Sequence, residues 1–104
     1  MDMGVIRLAP GPDARTRTLE AEIAMDILWA AAIPDDRLEH IRARPGPPPA
    51  TLDIVVFLNC TVPVSATDLA LRLCRRALLT APVLNGWTAI PLSPTTHCMT
   101  WEIP

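Results

Sequence analysis

His40, Arg42 and Arg44 are the first group of residues whose types and spacing could do chemistry. They alternate along the chain, so they share one face if their segment is a β-strand. Guanidinium and imidazole groups on one face suit a carboxylate, a phosphate or a single-stranded nucleic acid. The ordinary alternative is a solvated edge strand whose charge opposes aggregation. We treat these residues as a candidate anion-binding site.

Arg72, Arg75 and Arg76 form a second basic group, at helical spacing. All nine basic residues of the chain are arginine. This bias fits a GC-rich coding sequence, or a use of guanidinium chemistry if the arginines converge. The second group is therefore either a solvated helix face or a docking surface for an acidic partner.

Catalytic, metal and cofactor sites are not predicted. Cys60, Cys74 and Cys98 form no C-x-x-C pair and no disulfide framework. The sequence also lacks a glycine-rich phosphate loop and a Ser-His-Asp pattern.

Composition restricts the class of protein. The 104 residues, half of them hydrophobic, suit one globular domain over residues 1–104. A net charge of −2 and a pI near 5.5 do not favour nucleic acid as a partner. We also expect no membrane partner, because no apolar run approaches 18 residues. The amino-terminal residues do not resemble a signal peptide, so a cytoplasmic location is expected.

Hydrophobic periodicity predicts the elements that position these residues. Leu19, Ile23 and Ile27 recur at helical spacing and indicate a helix that is capped by Asp13 or Thr16 and runs to about Ala32. The segment Arg37–Arg44 favours a strand, with a short helix as the alternative left open. The other predicted elements are strands over Met3–Leu8, Thr51–Asn59, Trp87–Leu92 and His97–Ile103, and a helix over Ser65–Ala81.

This order of elements resembles the ferredoxin-like two-layer plait. The expected fold class is α+β, a βαββαβ chain with an extra C-terminal strand and two helices on one face of an antiparallel sheet. The resemblance covers most of the chain at the level of fold. It implies an uncovered second sheet face and no particular function.

The run Ile54–Leu58 is apolar without interruption. A strand with one wet face alternates apolar and polar residues, so both sides of this strand require burial. With the helices on the Ile54 side, Val55 and Phe57 lie on the other face. Their cover would be a second copy, another protein or the last strand of the same chain.

Trp29, on the first predicted helix, is a large apolar residue that is costly to expose to water. With Met25 and Ile33 it forms an i, i+4, i+8 series beside the Ile23/Ile27 positions. The series predicts either a second apolar contact face or a tryptophan that folds over the edge of the sheet.

These features predict a small non-enzymatic interaction or assembly module, a homodimeric accessory or regulatory subunit. Val55 and Phe57 would form its contact face, with Trp29 or the second arginine group as another contact. The alternative is a small dimeric ferredoxin-like enzyme or ligand-binding protein that acts on an apolar small molecule. Its cavity would be lined by Trp87, Met99 and Trp101, with His40 or His97 moving a proton.

Overall fold

The computed structural model describes residues 2–48, 50–59 and 66–92. They form an α+β fold of two helices and a four-stranded antiparallel sheet. The predicted strand His97–Ile103 lies outside the described residues, as do Cys60, Cys98, Met99 and Trp101. The elements are β1 (Asp2–Pro10), α1 (Ala21–Ala31), a 3-10 turn (Pro34–Asp36), β2 (Leu38–Pro45), β3 (Leu52–Leu58), α2 (Ala66–Thr80), a second 3-10 turn (Pro82–Leu84) and β4 (Trp87–Leu92).

The sheet has the strand order β2-β3-β1-β4, and each neighbouring pair is antiparallel. β1 and β3 are central, which matches their apolar composition. The segment Arg37–Arg44 is a strand, as the sequence favoured, and a register irregularity separates Leu38 from His40. Both edge strands oppose further pairing, because β2 carries charges and β4 contains Pro91.

Both helices pack on one face of the sheet. The even-numbered residues of β3, from Leu52 to Leu58, belong to one buried cluster with residues of both helices. β1 meets α2 closely at Gly4, where an added Cβ would lie 2.8 Å from the backbone oxygen of Ala66 and from the Cβ of Ala70. A glycine is therefore required at this contact.

The α2 helix has the predicted inward face. The buried residues on this helix are Leu69, Ala70, Leu73, Cys74 and Ala77. Arg72 and Arg75 are exposed on the opposite side. Within the described ranges, no helix combines the length and apolarity needed to cross a lipid bilayer.

The α1 helix begins later than the sequence predicted, at Ala21 instead of Asp13 or Thr16. The residues before it bond to the start of β4: the Gly11 amide donates to the Gly86 carbonyl at 2.8 Å, and Trp87 Nε1 donates to the Thr16 carbonyl at 2.7 Å. These contacts hold the segment out of a helix.

The register of α1 also differs from the prediction. Its buried positions are Ala24 and Leu28, whereas Ile23 is 45% exposed. Adjacent helical residues point about 100° apart, because an α-helix has about 3.6 residues per turn. With Ala24 facing the sheet, Ile23 turns toward solvent, and Ile27 packs only partly against the core.

A partly buried ion pair closes the junction of α1, the first 3-10 turn and α2. Arg76 Nη1 donates to Asp36 Oδ2 at 2.7 Å and to the Ala31 carbonyl at 3.0 Å, and Arg76 Nη2 donates to Asp36 Oδ1 at 3.2 Å. The Ile33 amide donates to the same carboxylate at 2.9 Å. The hydrogen bonds to Asp36 raise the pKa of Arg76 above its ordinary value, although partial burial opposes them.

Candidate functional site

The sheet face opposite the two helices is the candidate site, and we call it the helix-free face. Within residues 2–48, 50–59 and 66–92, both helices pack on the other side of the sheet. Strand alternation and cross-strand register assign its members. They are Met3, Val5, Arg7 and Ala9 on β1; His40, Arg42 and Arg44 on β2; Asp53, Val55 and Phe57 on β3; and Thr88, Ile90 and Leu92 on β4.

Cross-strand pairing arranges this face in rows. In the apolar row, Val55 lies between Arg42 and Val5, and Val5 is also opposite Leu92. Directly opposite residues place their Cβ atoms about 5 Å apart, so each row is a continuous line of side chains.

The apolar row is shielded from solvent in its centre. Val5 is 0% and Val55 1% exposed, although neither belongs to the buried cluster beneath the helices. Both sides of the middle of β3 are thus buried, as its unbroken apolar run predicted. Phe57 is half-buried and Ile90 is 48% exposed, so apolar surface remains accessible around the shielded centre.

The next row carries charge. Arg7 and Asp53 are directly opposite each other, with Arg44 beside Asp53 and Ile90 beside Arg7. Arg7 Nε donates to Asp53 Oδ1 at 2.8 Å and Arg7 Nη2 to Oδ2 at 3.1 Å. These hydrogen bonds raise the pKa of Arg7, against the opposing effect of partial burial.

The row on the other side of the apolar row is aromatic. His40 and Phe57 are register partners, with ring centroids 5.8 Å apart and planes inclined by 34°. Met3 is opposite Phe57 on the other strand. Aromatic and thioether groups thus lie at one end of the helix-free face and the ion pair at the other.

Counted over the described residues, the helix-free face carries more positive than negative formal charge. Arg7, Arg42 and Arg44 carry three positive charges and Asp53 one negative charge, which gives a formal charge of +2 with His40 neutral. The whole chain carries −2. The predicted anion-binding residues His40, Arg42 and Arg44 share this face, and all three are exposed on an edge strand.

The second predicted basic surface on α2 is divided. Arg72 and Arg75 are exposed, whereas Arg76 turns toward Asp36 and fixes the helix junction. Trp29 is 47% exposed and Ile33 43%, while Met25 packs against the core. About half of the Trp29 surface is therefore available for contact.

The residues of the enzyme alternative are only partly described. Trp87 is 5% exposed and part of the core cluster; His97, Met99 and Trp101 lie outside the described residues. Burial raises the pKa of the Cys74 thiol to about 12, which makes it a poor nucleophile. Among the described residues, no three His, Cys, Asp or Glu side chains converge on a metal position.

Two ion pairs are features that sequence reasoning missed. For Arg7–Asp53 a signal exists, since Asp53 is an acidic residue within an apolar strand and a buried carboxylate needs a partner. For Arg76–Asp36 no comparable signal exists, because the partners are 40 positions apart and lie on elements whose contact only the fold sets.

Comparisons of the chain with protein-family models, curated proteins and solved structures gave no match.

Proposed function

We propose that this protein is a small non-enzymatic interaction module, a homodimeric accessory or regulatory subunit that associates through its helix-free face. The fold assignment within this proposal is the ferredoxin-like plait. The strand order β2-β3-β1-β4 with antiparallel neighbours, and both helices on one side, support that assignment. In this architecture the second sheet face is the surface available for assembly.

The observation that carries the proposal is the mixture of side chains on that face. Phe57, Met3, Leu92 and Ile90 surround the shielded valines and remain partly or largely accessible. Accessible apolar groups beside charged side chains are typical of protein contact surfaces. Arginine and aromatic side chains are also the types enriched at such contacts.

A non-catalytic role is supported by the chemistry of the face. It offers guanidinium groups, one paired carboxylate and an exposed imidazole. Arginines bind and orient anions, but they stay protonated and transfer no proton near neutral pH. A reducing compartment such as the cytoplasm suits a chain whose cysteine spacing indicates no disulfide framework.

Light scattering coupled to size exclusion tests the proposal. The wild-type protein is expected to elute at twice 11.3 kDa at high micromolar concentration, and Phe57→Asp to elute as a monomer. Leu79→Asp is the matched control, because Leu79 is 86% exposed on α2 and lies away from the helix-free face. A wild-type protein that stays monomeric, or a dimer that Phe57→Asp leaves intact, would refute the proposed contact.

A second candidate function has one observation in its favour. A surface groove of about 460 Å³ lies beside Trp87 and is lined also by Leu78, Leu79, Leu84 and Arg75. Such a groove suits an apolar small molecule with an acidic group, the class expected for the ligand-binding alternative. Quenching of Trp87 fluorescence by a fatty acid, in a Trp29→Phe/Trp101→Phe background, tests it. The groove variant Leu84→Ala should weaken the quenching, and quenching that this variant leaves unchanged would argue against the groove.

A further inference from the structure

The two central strands of the helix-free face are self-complementary, and we infer that a second copy packs on it about a two-fold axis parallel to β1 and β3. This inference rests on the proposed function and specifies its geometry. The axis would run between β1 and β3. Rotation about it would place β1 of one copy over β3 of the other, and each row of one copy over the same row of the other.

The register supplies the geometric argument. Met3 is opposite Phe57, Val5 opposite Val55 and Arg7 opposite Asp53. In a two-fold contact, if one residue meets a second, the second also meets the first. About this axis each residue lies over the partner subunit's copy of its own cross-strand neighbour.

The contacts generated in this way are chemically matched. Phe57 would lie over the partner's Met3, a favourable contact between an aromatic ring and a thioether. Arg7 would lie over the partner's Asp53, so that two arginines and two carboxylates alternate in one cluster. Val5 and Val55 are already shielded, so new burial would come from the side chains around them.

The ion pair retains capacity for a second partner. Within one chain, Arg7 donates through Nε and Nη2 to the two oxygens of Asp53. A guanidinium has five N–H donors, and a carboxylate has about four acceptor positions. The Nη1 group of Arg7 and the remaining lone pairs of Asp53 are therefore suited to the second copy.

The outer strands fit the same axis. It places β2 over the partner's β4, with Arg42 and Arg44 over the partner's Leu92 and Ile90. Arginine stems can cover apolar side chains. The β2 strands of the two copies would then lie at opposite edges, about 14 Å apart at three strand spacings. Physiological salt screens charges beyond about 8 Å.

A two-fold axis perpendicular to the strands is less favourable. An axis perpendicular to the strands at the level of Val55 would place β2 over the partner's β2. Arg42 would then face the partner's Arg42, and Arg44 would face the partner's His40. The two juxtaposed Arg42 charges oppose association, so the axis parallel to the strands is preferred to this one.

Complementary charge variants test the axis. Arg7→Asp and Asp53→Arg each place two like charges in the ion-pair row, so each protein alone should dimerise at least 30-fold more weakly than wild type. A 1:1 mixture restores opposite charges across the axis and should form a heterodimer within about 10-fold of the wild-type dissociation constant. Native mass spectrometry separates the heterodimer from both homodimers by mass.

If circular dichroism shows that Arg7→Asp or Asp53→Arg has not folded, a second pair of variants provides the test. Phe57→Lys and Met3→Glu act at the half-buried end of the face. Each alone should dimerise weakly, and their mixture should recover a heterodimer. A double variant that carries both changes in one chain is the control for intramolecular compensation.

Three outcomes would overturn the inference, and they separate it from the proposed function. A wild-type dimer whose complementary variants do not rescue each other would reject this axis and leave the assembly function standing. A wild-type monomer would reject both. A wild-type monomer that dimerises after removal of residues 93–104 would show that the chain's own terminal residues occupy the face in place of a second copy.

Discussion

Two arginine–aspartate pairs lie on opposite sides of this molecule and have nearly the same geometry. Arg76–Asp36 has donor–acceptor distances of 2.7 and 3.2 Å, and Arg7–Asp53 of 2.8 and 3.1 Å. Both arginine side chains are 30% exposed. The chemistry of the pairing therefore does not distinguish them.

The two ion pairs differ in their surroundings. Asp36 is 3% exposed at its side chain and also accepts the Ile33 amide, while Arg76 also donates to the Ala31 carbonyl. The Asp53 side chain is 11% exposed, and the described structure gives its pair no backbone partner. The first pair is completed within the fold, and the second keeps hydrogen-bonding capacity on an outer face. The same two residue types can thus serve folding on one side and association on the other.

The largest effect on stability is expected at Arg76–Asp36, the pair completed within the fold. Asp36→Ala leaves the Arg76 guanidinium and the Ile33 amide without their carboxylate, and should lower the free energy of unfolding by about 3 kcal/mol. Asp35→Ala, in the same 3-10 turn but exposed, should change it by less than about 0.5 kcal/mol. Urea denaturation measures both, and equal effects would contradict the structural role of Asp36.

The next effect contrasts the two sides of β1. Gly4→Ala adds a methyl group that collides with α2 at 2.8 Å, and overpacking of this kind should cost about 2 kcal/mol. Ala9→Val adds volume on the helix-free side, where Ala9 is only half-buried, and should cost under about 1 kcal/mol. Thermal melts measure both variants. If Ala9→Val were more destabilising than Gly4→Ala, the close packing would lie on the helix-free side, contrary to the structure.

A pH effect reports how well the helix side excludes water. Burial raises the pKa of Cys74 from 9.0 to about 12, so the folded state holds its proton more tightly than the unfolded state. Stability is complete below the unfolded pKa and declines as pH rises toward 12, by about 1 kcal/mol between pH 8 and pH 10.

The absence of lysine and tyrosine makes this effect measurable, because few other groups titrate in that interval. The experiment uses Cys60→Ser/Cys98→Ser protein, so that Cys74 is the sole thiol. Adding Cys74→Ala should flatten the dependence. A decline of equal size in that control would assign it to other groups.

The smallest effect on stability is expected at Arg7–Asp53, the pair on the helix-free face. Asp53→Asn removes the charge of a partly exposed ion pair and should lower the free energy of unfolding by about 1 kcal/mol or less. Its larger consequence should be a dissociation constant for self-association raised about 10-fold. Denaturation at low micromolar concentration and sedimentation equilibrium separate the two quantities. An Asp53→Asn protein destabilised as strongly as Asp36→Ala, with self-association unchanged, would remove the distinction between the pairs.

Local periodicity was sufficient for β3 and α2. The alternation of β3 and the inward face of α2 follow from side-chain geometry within each element, which depends only on nearby residues. The prediction that both flanks of the β3 centre are buried is confirmed at Val55 and Val56. For β2 the sequence favours a strand over a short helix, because a proline-rich connection leads directly to an antiparallel partner strand.

Periodicity predicted the wrong buried face for α1, because packing against the rest of the fold decides which face of this helix is buried. Ile23 and Ile27 have the right spacing for an inward face, yet Ala24 and Leu28 are buried instead. The start of α1 is also set at a distance, because the preceding segment is hydrogen-bonded to β4 through Trp87 and Thr16, 71 positions apart. A contact between residues so distant in sequence leaves no local pattern.

The sequence by itself determined the class of fold, the apolar character of both flanks of β3 and the basic alternation of β2. Only the tertiary structure decided which arginine meets which aspartate, and that Arg76 belongs to the helix junction while Arg7 belongs to the helix-free face. Secondary structure follows from contacts a few residues apart. The pairing of charges depends on strand order and helix packing, which bring together residues about 40 to 46 positions apart.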